Sequence, residues 1–324
     1  MKGAYRVIIQ NKRIRYDFEI KRNITVIRGD SATGKTTLIE MVQEYYRNGN
    51  SSAIELVCEK KCVTILSPAW KYELSAISDS IVFIDEDAEY IFTNEFATTI
   101  KNSDNYYVIV TRAPIPSLPY SVDEIYGIKN SGKYGTLKRT YNHLYHIYNK
   151  EDFDIQAKTE INIILTEDSN AGYEFFDAVC QKNGNMKCIS ADGKSNIHLA
   201  VRNNIDNKIL VIADGAAFGP EMEAVEKIAR YNTNILLYLP ESFEWLILKS
   251  GLIQGKELKE ILNNPENYIE SETYFSWERF FNSLLQRLTQ DSYLQYNKKH
   301  LNTNYLSDKS MDKMLNVMRL GIEI

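Results

Sequence analysis

The sequence predicts an α/β fold: a parallel-sheet domain, then a second α/β domain, then a helical C-terminal tail. Three observations lead there. Short apolar runs of strand length alternate with periodic stretches of helix length in both halves of the chain, the order that builds parallel sheets. Between the run Ile24 to Ile27 and a helix starting near Lys35 lies a loop rich in glycine and small polar residues. Several apolar runs also end in acids: Ile81 to Ile84 runs into Asp85 and Glu86, Ile161 to Thr166 into Glu167 and Asp168, and Lys208 to Ala213 into Asp214. Acids at the C-terminal ends of strands buried on both faces open onto the ligand crevice of such a sheet.

Length and composition bound the reading. A chain of 324 residues suggests two domains, each able to bury a core. With 44% hydrophobic and 25% charged residues, disorder and fibrous architectures are excluded. A formal net charge of −5 argues against coating nucleic acid through bulk charge, while leaving room for a local basic patch. Residues 1–6 lack the apolar core of a signal peptide, and no run approaches the roughly 18 apolar residues of a membrane span, so a cytoplasmic protein without membrane contact is expected. The four cysteines are read as free thiols. Cys58 and Cys62 lie in a stretch, residues 54–66, read as two strands joined by a tight Glu59-Lys60-Lys61 turn rather than as half of a zinc site.

Taken in order, residues 5–20 alternate apolar and polar around Asn11-Lys12-Arg13 and predict a β-hairpin. Ile24 to Ile27 is the next strand. It leads into Gly29-Asp30-Ser31-Ala32-Thr33-Gly34-Lys35-Thr36, which fits the phosphate-binding pattern G-x-x-x-x-G-K-[ST] at every fixed position. The helix then begins, with Thr37 as the next loop-proximal residue. Successive backbone N–H groups and a helix N-terminus make an electropositive seat for phosphate oxygens. In that chemistry Lys35 reaches the β- and γ-phosphates of ATP and the Thr36 hydroxyl ligates Mg²⁺. Asn48 to Ser52 is a turn, Cys62 to Leu66 a strand, and Ile81 to Ile84 a strand whose acids have the form of a Walker B motif. Asp85 would hold Mg²⁺ through water and Glu86 would polarise the attacking water. Tyr106 to Arg112 is a further strand, where Thr111 or Arg112 would sense phosphate, or Arg112 would simply pair with a surface acid.

The glutamate directly after the aspartate, with an extra strand between the two motifs, resembles the additional-strand, catalytic-glutamate class of P-loop ATPases that includes the ABC and AAA+ ATPases. Neither an LSGGQ-like signature nor room for a long coiled-coil insertion is present, which sets the chain apart from a standard ABC ATPase. Beyond the connector Pro114 to Pro119, Glu124 to Ile128 and Thr136 to Tyr148 read as strands around Ser131-Gly132-Lys133-Tyr134-Gly135, with His143, Tyr145, His146 and Tyr148 facing solvent. The polar stretch from Asn149 to Glu160 is the expected boundary, giving domains at 1–150, 160–255 and 256–324.

The second domain reads as alternating strands and helices from Ile161 to Leu239, a parallel sheet in which Glu167 and Asp214 end adjacent strands. Two such carboxylates form a natural divalent-metal site. The order resembles the Toprim domain of topoisomerases, primases and OLD-family nucleases, carried by Glu167, the Gly193-Lys194-Ser195 loop, Asp214 and the stretch from Glu241 to Leu248. The family's paired aspartates stand here as Asp214-Gly215-Ala216, and Asp168 replaces the small residue after the family's glutamate. Such a site would bind one Mg²⁺ or Mn²⁺, be completed by Asp168, Glu241 or Glu244, or be silent.

A phosphate loop in front of a Toprim-like unit resembles trimmed OLD-family and related bacterial antiviral ATPase–nucleases. What this implies is an ATP-controlled, metal-dependent nuclease acting on DNA or RNA in defence against phage or mobile DNA, with Glu86, Lys35, Glu167 and Asp214 catalytic. The alternative is an ATP-gated regulatory or assembly module, a homo-oligomer or partner-protein complex, with silent acids. In the tail, Trp277, Phe281, Leu284 and Leu288 recur at helical spacing, with Phe280 and Leu285 widening the stripe. Tyr293, Tyr296, Lys298, Lys299, His300 and Tyr305 mix aromatics with positive charge, as a nucleic-acid contact, plain surface polarity or an oligomer contact would.

Overall fold

A computed structural model of the chain describes residues 1–29, 33–65, 67–131, 139–148 and 160–318. It separates into two compact units, Met1–Tyr148 with Asn264–Ser276, and Asn149–Asn263 with Trp277–Ile324. Residues 149–159, where the sequence puts the boundary, and most of the Ser131 to Gly135 loop lie outside the described residues.

In the first unit, β1 (Tyr5–Gln10) and β2 (Ile14–Ile20) form the expected antiparallel hairpin. The turn is set by Asn11, whose Oδ1 accepts the backbone N–H groups of Arg13 and Ile14, both at 2.8 Å. Alternation places Val7, Ile9, Tyr16, Phe18 and Ile20 in the core. β3 (Ile24–Ile27) is buried along its whole length, and α1 (Lys35–Asn48) follows the loop. After β4 (Glu55–Val57) and β5 (Lys61–Ile65) come α2 (Trp70–Ser75), β6 (Ser80–Ile84), α3 (Asn94–Ile100) and β7 (Tyr106–Val110). The unit's last strands are β8 (Ile125–Asn130) and β9 (Thr140–His146). All join one mixed nine-stranded sheet in the order β4-β1-β2-β9-β8-β3-β7-β6-β5. From β8 to β5 neighbouring strands run parallel, with β7 between β3 and β6.

The tight turn read at residues 59–61 does not close a hairpin. β4 pairs with β1 and β5 with β6, at opposite edges of the sheet. The short connection between them spans at most about 14 Å of extended chain, so the sheet curls until its edges approach. What it curls around is α1. Leu38, Ile39, Met41 and Val42 share one apolar cluster with Val7, Ile9 and Phe18 from the hairpin and Cys62, Phe83 and Tyr106 from the parallel strands. Each such fully buried side chain is worth roughly 1.5–3 kcal/mol, which makes the helix following the loop the keystone of this core.

The unit is completed from far along the chain. Asn23 Nδ2 donates to the carbonyl oxygens of Ser271 (3.1 Å) and Tyr274 (3.0 Å), and Gly3 N donates to Glu266 O at 2.7 Å. His143, Tyr145 and His146 are exposed on β9, whereas Tyr148 is buried.

The second unit alternates as its sequence predicts: β10 (Ile163–Thr166), α4 (Ala171–Asn183), β11 (Lys187–Ser190), α5 (Ile197–Asn203), β12 (Ile209–Ile212), α6 (Gly219–Ala229) and β13 (Ile235–Tyr238). The four strands are all parallel in the order β11-β10-β12-β13. α7 (Phe243–Lys249), α8 (Leu258–Asn263), α9 (Trp277–Thr289) and α10 (Asp308–Met318) follow. α9 buries Trp277, Phe280, Phe281, Leu284 and Leu285 of the predicted stripe, leaves Leu288 half-buried, and packs on α7.

The aromatic and basic cluster after α9 is not one surface. Tyr296 and Tyr305 are buried, Tyr305 Oη donating to Leu294 O at 2.6 Å, while Tyr293 is exposed. These rings fill the interior of the unit because their hydroxyls find partners there. No helix among the described residues is long and apolar enough to cross a membrane.

Candidate functional site

Two places gather the residues singled out in the sequence. The first is the loop between β3 and α1. Asp30, Ser31 and Ala32 lie outside the described residues, but both ends of the loop are described. Gly34 sits at φ 98, a left-handed conformation, and a Cβ there would stand 2.9 Å from Tyr16 Oη. Tyr16 Oη donates to Gly34 O at 2.7 Å, so the hairpin holds the loop from beneath. Lys35 is buried and folds back, its Nζ donating to Gly29 O at 2.6 Å and Thr33 Oγ1 at 3.2 Å. Thr36 is exposed and Thr37 half-buried at the start of α1.

Asp85 and Glu86 follow β6, half-buried. Asp85 Oδ1 accepts Glu86 N at 2.8 Å. Burial pushes the Asp85 carboxyl up from the usual range, against the pull of that N–H. Glu86 goes the other way: Arg112, just past β7, donates Nε to Oε2 (3.0 Å) and Nη2 to Oε1 (2.7 Å), and with Lys35 nearby this holds Glu86 below the usual range. Arg112 thus pairs with the very glutamate expected to act on water. Its main chain is fixed in turn by Arg28, whose Nη2 donates to Arg112 O at 3.0 Å.

Loop, helix start, Glu86 and Arg112 border a cavity of about 390 Å³ whose far wall is Ile14, Tyr16, Asn130, Thr140 and Asn142. Asn142 is 4% exposed, and its Oδ1 has no hydrogen-bond partner. An orphaned buried acceptor costs about 1–3 kcal/mol unless something else donates to it, so this wall fits a ligand bearing an N–H or O–H. The residues therefore fit a bound nucleotide with its Mg²⁺. Magnesium commonly takes one or two protein oxygens and completes its shell from phosphates and water, which is what Thr36 and Asp85 offer.

The second place is the carboxyl edge of the four-stranded sheet. β10 and β12 are neighbours with Thr166 opposite Ile212, and this register sets Glu167 opposite Ala213, one residue from Asp214. Glu167 Oε2 accepts Asp214 N at 3.4 Å, and Asp214 Oδ1 accepts Phe243 N at 3.0 Å. Gly215 has to be glycine: a Cβ there would lie 2.6 Å from Leu239 O. Ala216, where the resemblance puts a second aspartate, is buried at 3% exposure.

Lys298 lines the same space. Its Nζ donates to Glu278 Oε1 at 2.7 Å, and the space beside Glu167, Asp168, Asp214, Glu244 and Lys298 is only about 40 Å³. Burial, then the charges of Glu278 and Asp168, push Glu167 up to about 7. Asp214 is driven well above the usual range by burial and by Glu167, Glu278 and Glu244, with Lys298 opposing. Burial disfavours the Lys298 ammonium, but Glu278, Glu244 and Asp214 outweigh it and raise its pKa. Among the described residues no three or more His, Cys, Asp or Glu side chains are grouped to hold a metal ion. With an ammonium in the cluster and both candidate carboxylates accepting main-chain N–H groups, this donor set does not fit a resident divalent ion.

Sequence reasoning missed Tyr16, Asn142, Glu278 and the role of Lys298. Tyr16 carried a signal, a large aromatic at an inward position of the hairpin; the others sit on elements whose neighbours only long-range pairing fixes. No protein-family model matches the chain, and no curated protein matches it.

Proposed function

We propose that the first unit binds ATP with Mg²⁺ and hydrolyses it, and that nucleotide state changes how the second unit engages a partner or another copy of the chain. The observation that carries this reading is the cavity bounded by the loop, Lys35, Glu86 and Arg112. The position of β7 between the strands bearing the two motifs supports it further. Bound Mg²⁺, taken by Thr36 and Asp85, would neutralise phosphate charge. The loop N–H groups and the start of α1 seat the phosphate oxygens. Lys35, already desolvated, exchanges the Gly29 carbonyl for phosphate. Glu86 orients the attacking water once Arg112 releases its carboxylate, and a γ-phosphate oxygen is the natural competitor for that guanidinium.

For the second unit, the meeting of Glu167 with Asp214 favours a metal-dependent nuclease-like activity on DNA or RNA, as in the Toprim-like antiviral systems that the sequence resembles. Lys298 and Ala216 favour the other reading, a catalytically silent module, and it is the one taken here. The test assays ATP hydrolysis and Mn²⁺-dependent cleavage of plasmid, linear DNA and RNA together, comparing the intact protein with Lys35→Ala and Glu167→Ala, and sizes the protein by light scattering with and without ATP. Hydrolysis is expected to fall about a hundredfold or more in Lys35→Ala, with no cleavage and a nucleotide-dependent change in size. Unchanged hydrolysis in Lys35→Ala sinks the ATPase; cleavage lost in Glu167→Ala sinks the silent module.

A further inference from the structure

We propose that Lys298 is the resident cation of the acid cluster at the carboxyl ends of β10 and β12, and that the second unit takes no divalent metal there because this ammonium stands in its place. The inference concerns the second unit alone and does not rest on nucleotide chemistry in the first.

The lysine is held where it is needed. Its carbonyl oxygen accepts Ala171 N at the start of α4 (2.9 Å), and three residues on, Leu301 N donates to Glu174 Oε2 at 2.5 Å. The segment after α9 is thereby pinned across the amino end of α4, with Nζ delivered to Glu278 at 2.7 Å. Around it stand Glu167, Asp168, Asp214 and Glu244, all bordering the same small space. The other nearby ammonium, Lys194, donates to the carbonyl oxygen of Ala217 at 2.9 Å and lies to one side.

Glu244 shows the dependence most clearly. It is 1% exposed; Oε1 accepts Tyr296 Oη at 2.9 Å, and Oε2 has no hydrogen-bond partner. Burial raises the pKa of this carboxyl, and Lys298 is the chief group opposing that rise. The space there is about 40 Å³, about a tenth of that beside the phosphate loop. A divalent ion with its own waters would have to expel Lys298 and pull Glu167 and Asp214 off the N–H groups of Asp214 and Phe243. The buried Ala216 offers no acid to repay that.

The test is Mn²⁺ binding followed by electron paramagnetic resonance on the full chain carrying Asp85→Asn, so that ions at the first unit's candidate site are not counted. This parent is expected to show no saturable Mn²⁺ site. Adding Lys298→Met is expected to create a single site, about tenfold or more tighter than any on the parent, since a buried positive charge has gone, and adding Asp214→Asn is expected to abolish it. A saturable ion on the parent that Glu167→Gln removes overturns the proposal. So does a folded Lys298→Met chain that gains none. Should Lys298→Met fail to fold, the intact protein decides: a slowly exchanging Lys298 Nζ nitrogen resonance unbroadened by Mn²⁺ supports the proposal, and paramagnetic broadening of it overturns it.

Discussion

At the carboxyl end of β3 the first unit folds Lys35 back onto its own loop, Nζ to Gly29 O at 2.6 Å, and leaves a cavity of about 390 Å³ beside it. At the carboxyl ends of β10 and β12 the second unit sends Lys298 to Glu278 at 2.7 Å and leaves about 40 Å³. Both edges are built from parallel strands ending in acids, yet the space at the second is about a tenth of that at the first. In the first, a carbonyl and a hydroxyl are among the lysine's partners, groups that an anion can displace. In the second its partners are carboxylates, which no incoming anion displaces and which hold the ammonium against a cation.

The comparison breaks most sharply at Glu86. Glu86→Gln keeps the side-chain volume and removes the carboxylate, and single-turnover ATP hydrolysis should fall about a hundred- to ten-thousandfold with nucleotide affinity largely kept. Persistent hydrolysis would leave the first unit, like the second, with acids that only pair.

A smaller effect comes from Glu124, the first unit's own buried acid, fully buried 3.4 Å from Arg22 Nε and accepting Thr25 Oγ1 at 3.0 Å. Burial raises its pKa from 4.5 to about 7, against the pull of Arg22. The folded protein therefore binds this proton more tightly than the unfolded chain does. The resulting stabilisation, at most about 3 kcal/mol, is complete below the unfolded value and lost as pH rises through the folded one. Urea denaturation near pH 5 and near pH 8 should show that decline in the intact protein, and Glu124→Gln should flatten it. A decline that survives the substitution assigns it to other groups, with Glu167 and Asp214 of the second unit the first to examine.

Smallest is Tyr16→Phe, which removes the hydroxyl beneath Gly34. It should cost about 1 kcal/mol of stability and weaken nucleotide binding severalfold by calorimetry, without touching Mn²⁺ binding in any variant of the second unit. An unchanged nucleotide affinity would mean that the loop keeps its shape without the hairpin's support.

What could be read in the sequence was local. The Asn11 turn, the all-apolar Ile24 to Ile27, the stripe of α9 and the alternation from Ile161 to Leu239 each fix an element through contacts a few residues apart. Alternation alone does not make β10 and β12 neighbours, since it equally allows β11 between them; the order β11-β10-β12-β13 is what brings Glu167 to Asp214. The rest depends on distant pairing. Residues 54–66 read as two strands and are two strands, but nothing within them tells that β4 belongs to β1 and β5 to β6. Arg112 was weighed as an arginine facing a surface acid, whereas its partner closed the strand two elements earlier. Lys298 read as part of a basic surface because its acids lie on α9, α7 and two strand ends, none of them near it in sequence. Charge patterning along a chain says little about a cation whose partners are gathered from four places in the fold.

The return of Asn264–Ser276 to the first unit bears on how the chain is made. Asn23 waits for the carbonyls of Ser271 and Tyr274. A ribosome working from the amino end has therefore released the hairpin, the loop strand and α1 well before their last partner leaves the exit tunnel. In the interval the second unit's whole parallel sheet is synthesised, and its local βα contacts form without reference to anything upstream. The second unit waits in turn for α9 and Lys298, so neither unit is finished until residues beyond 263 have emerged.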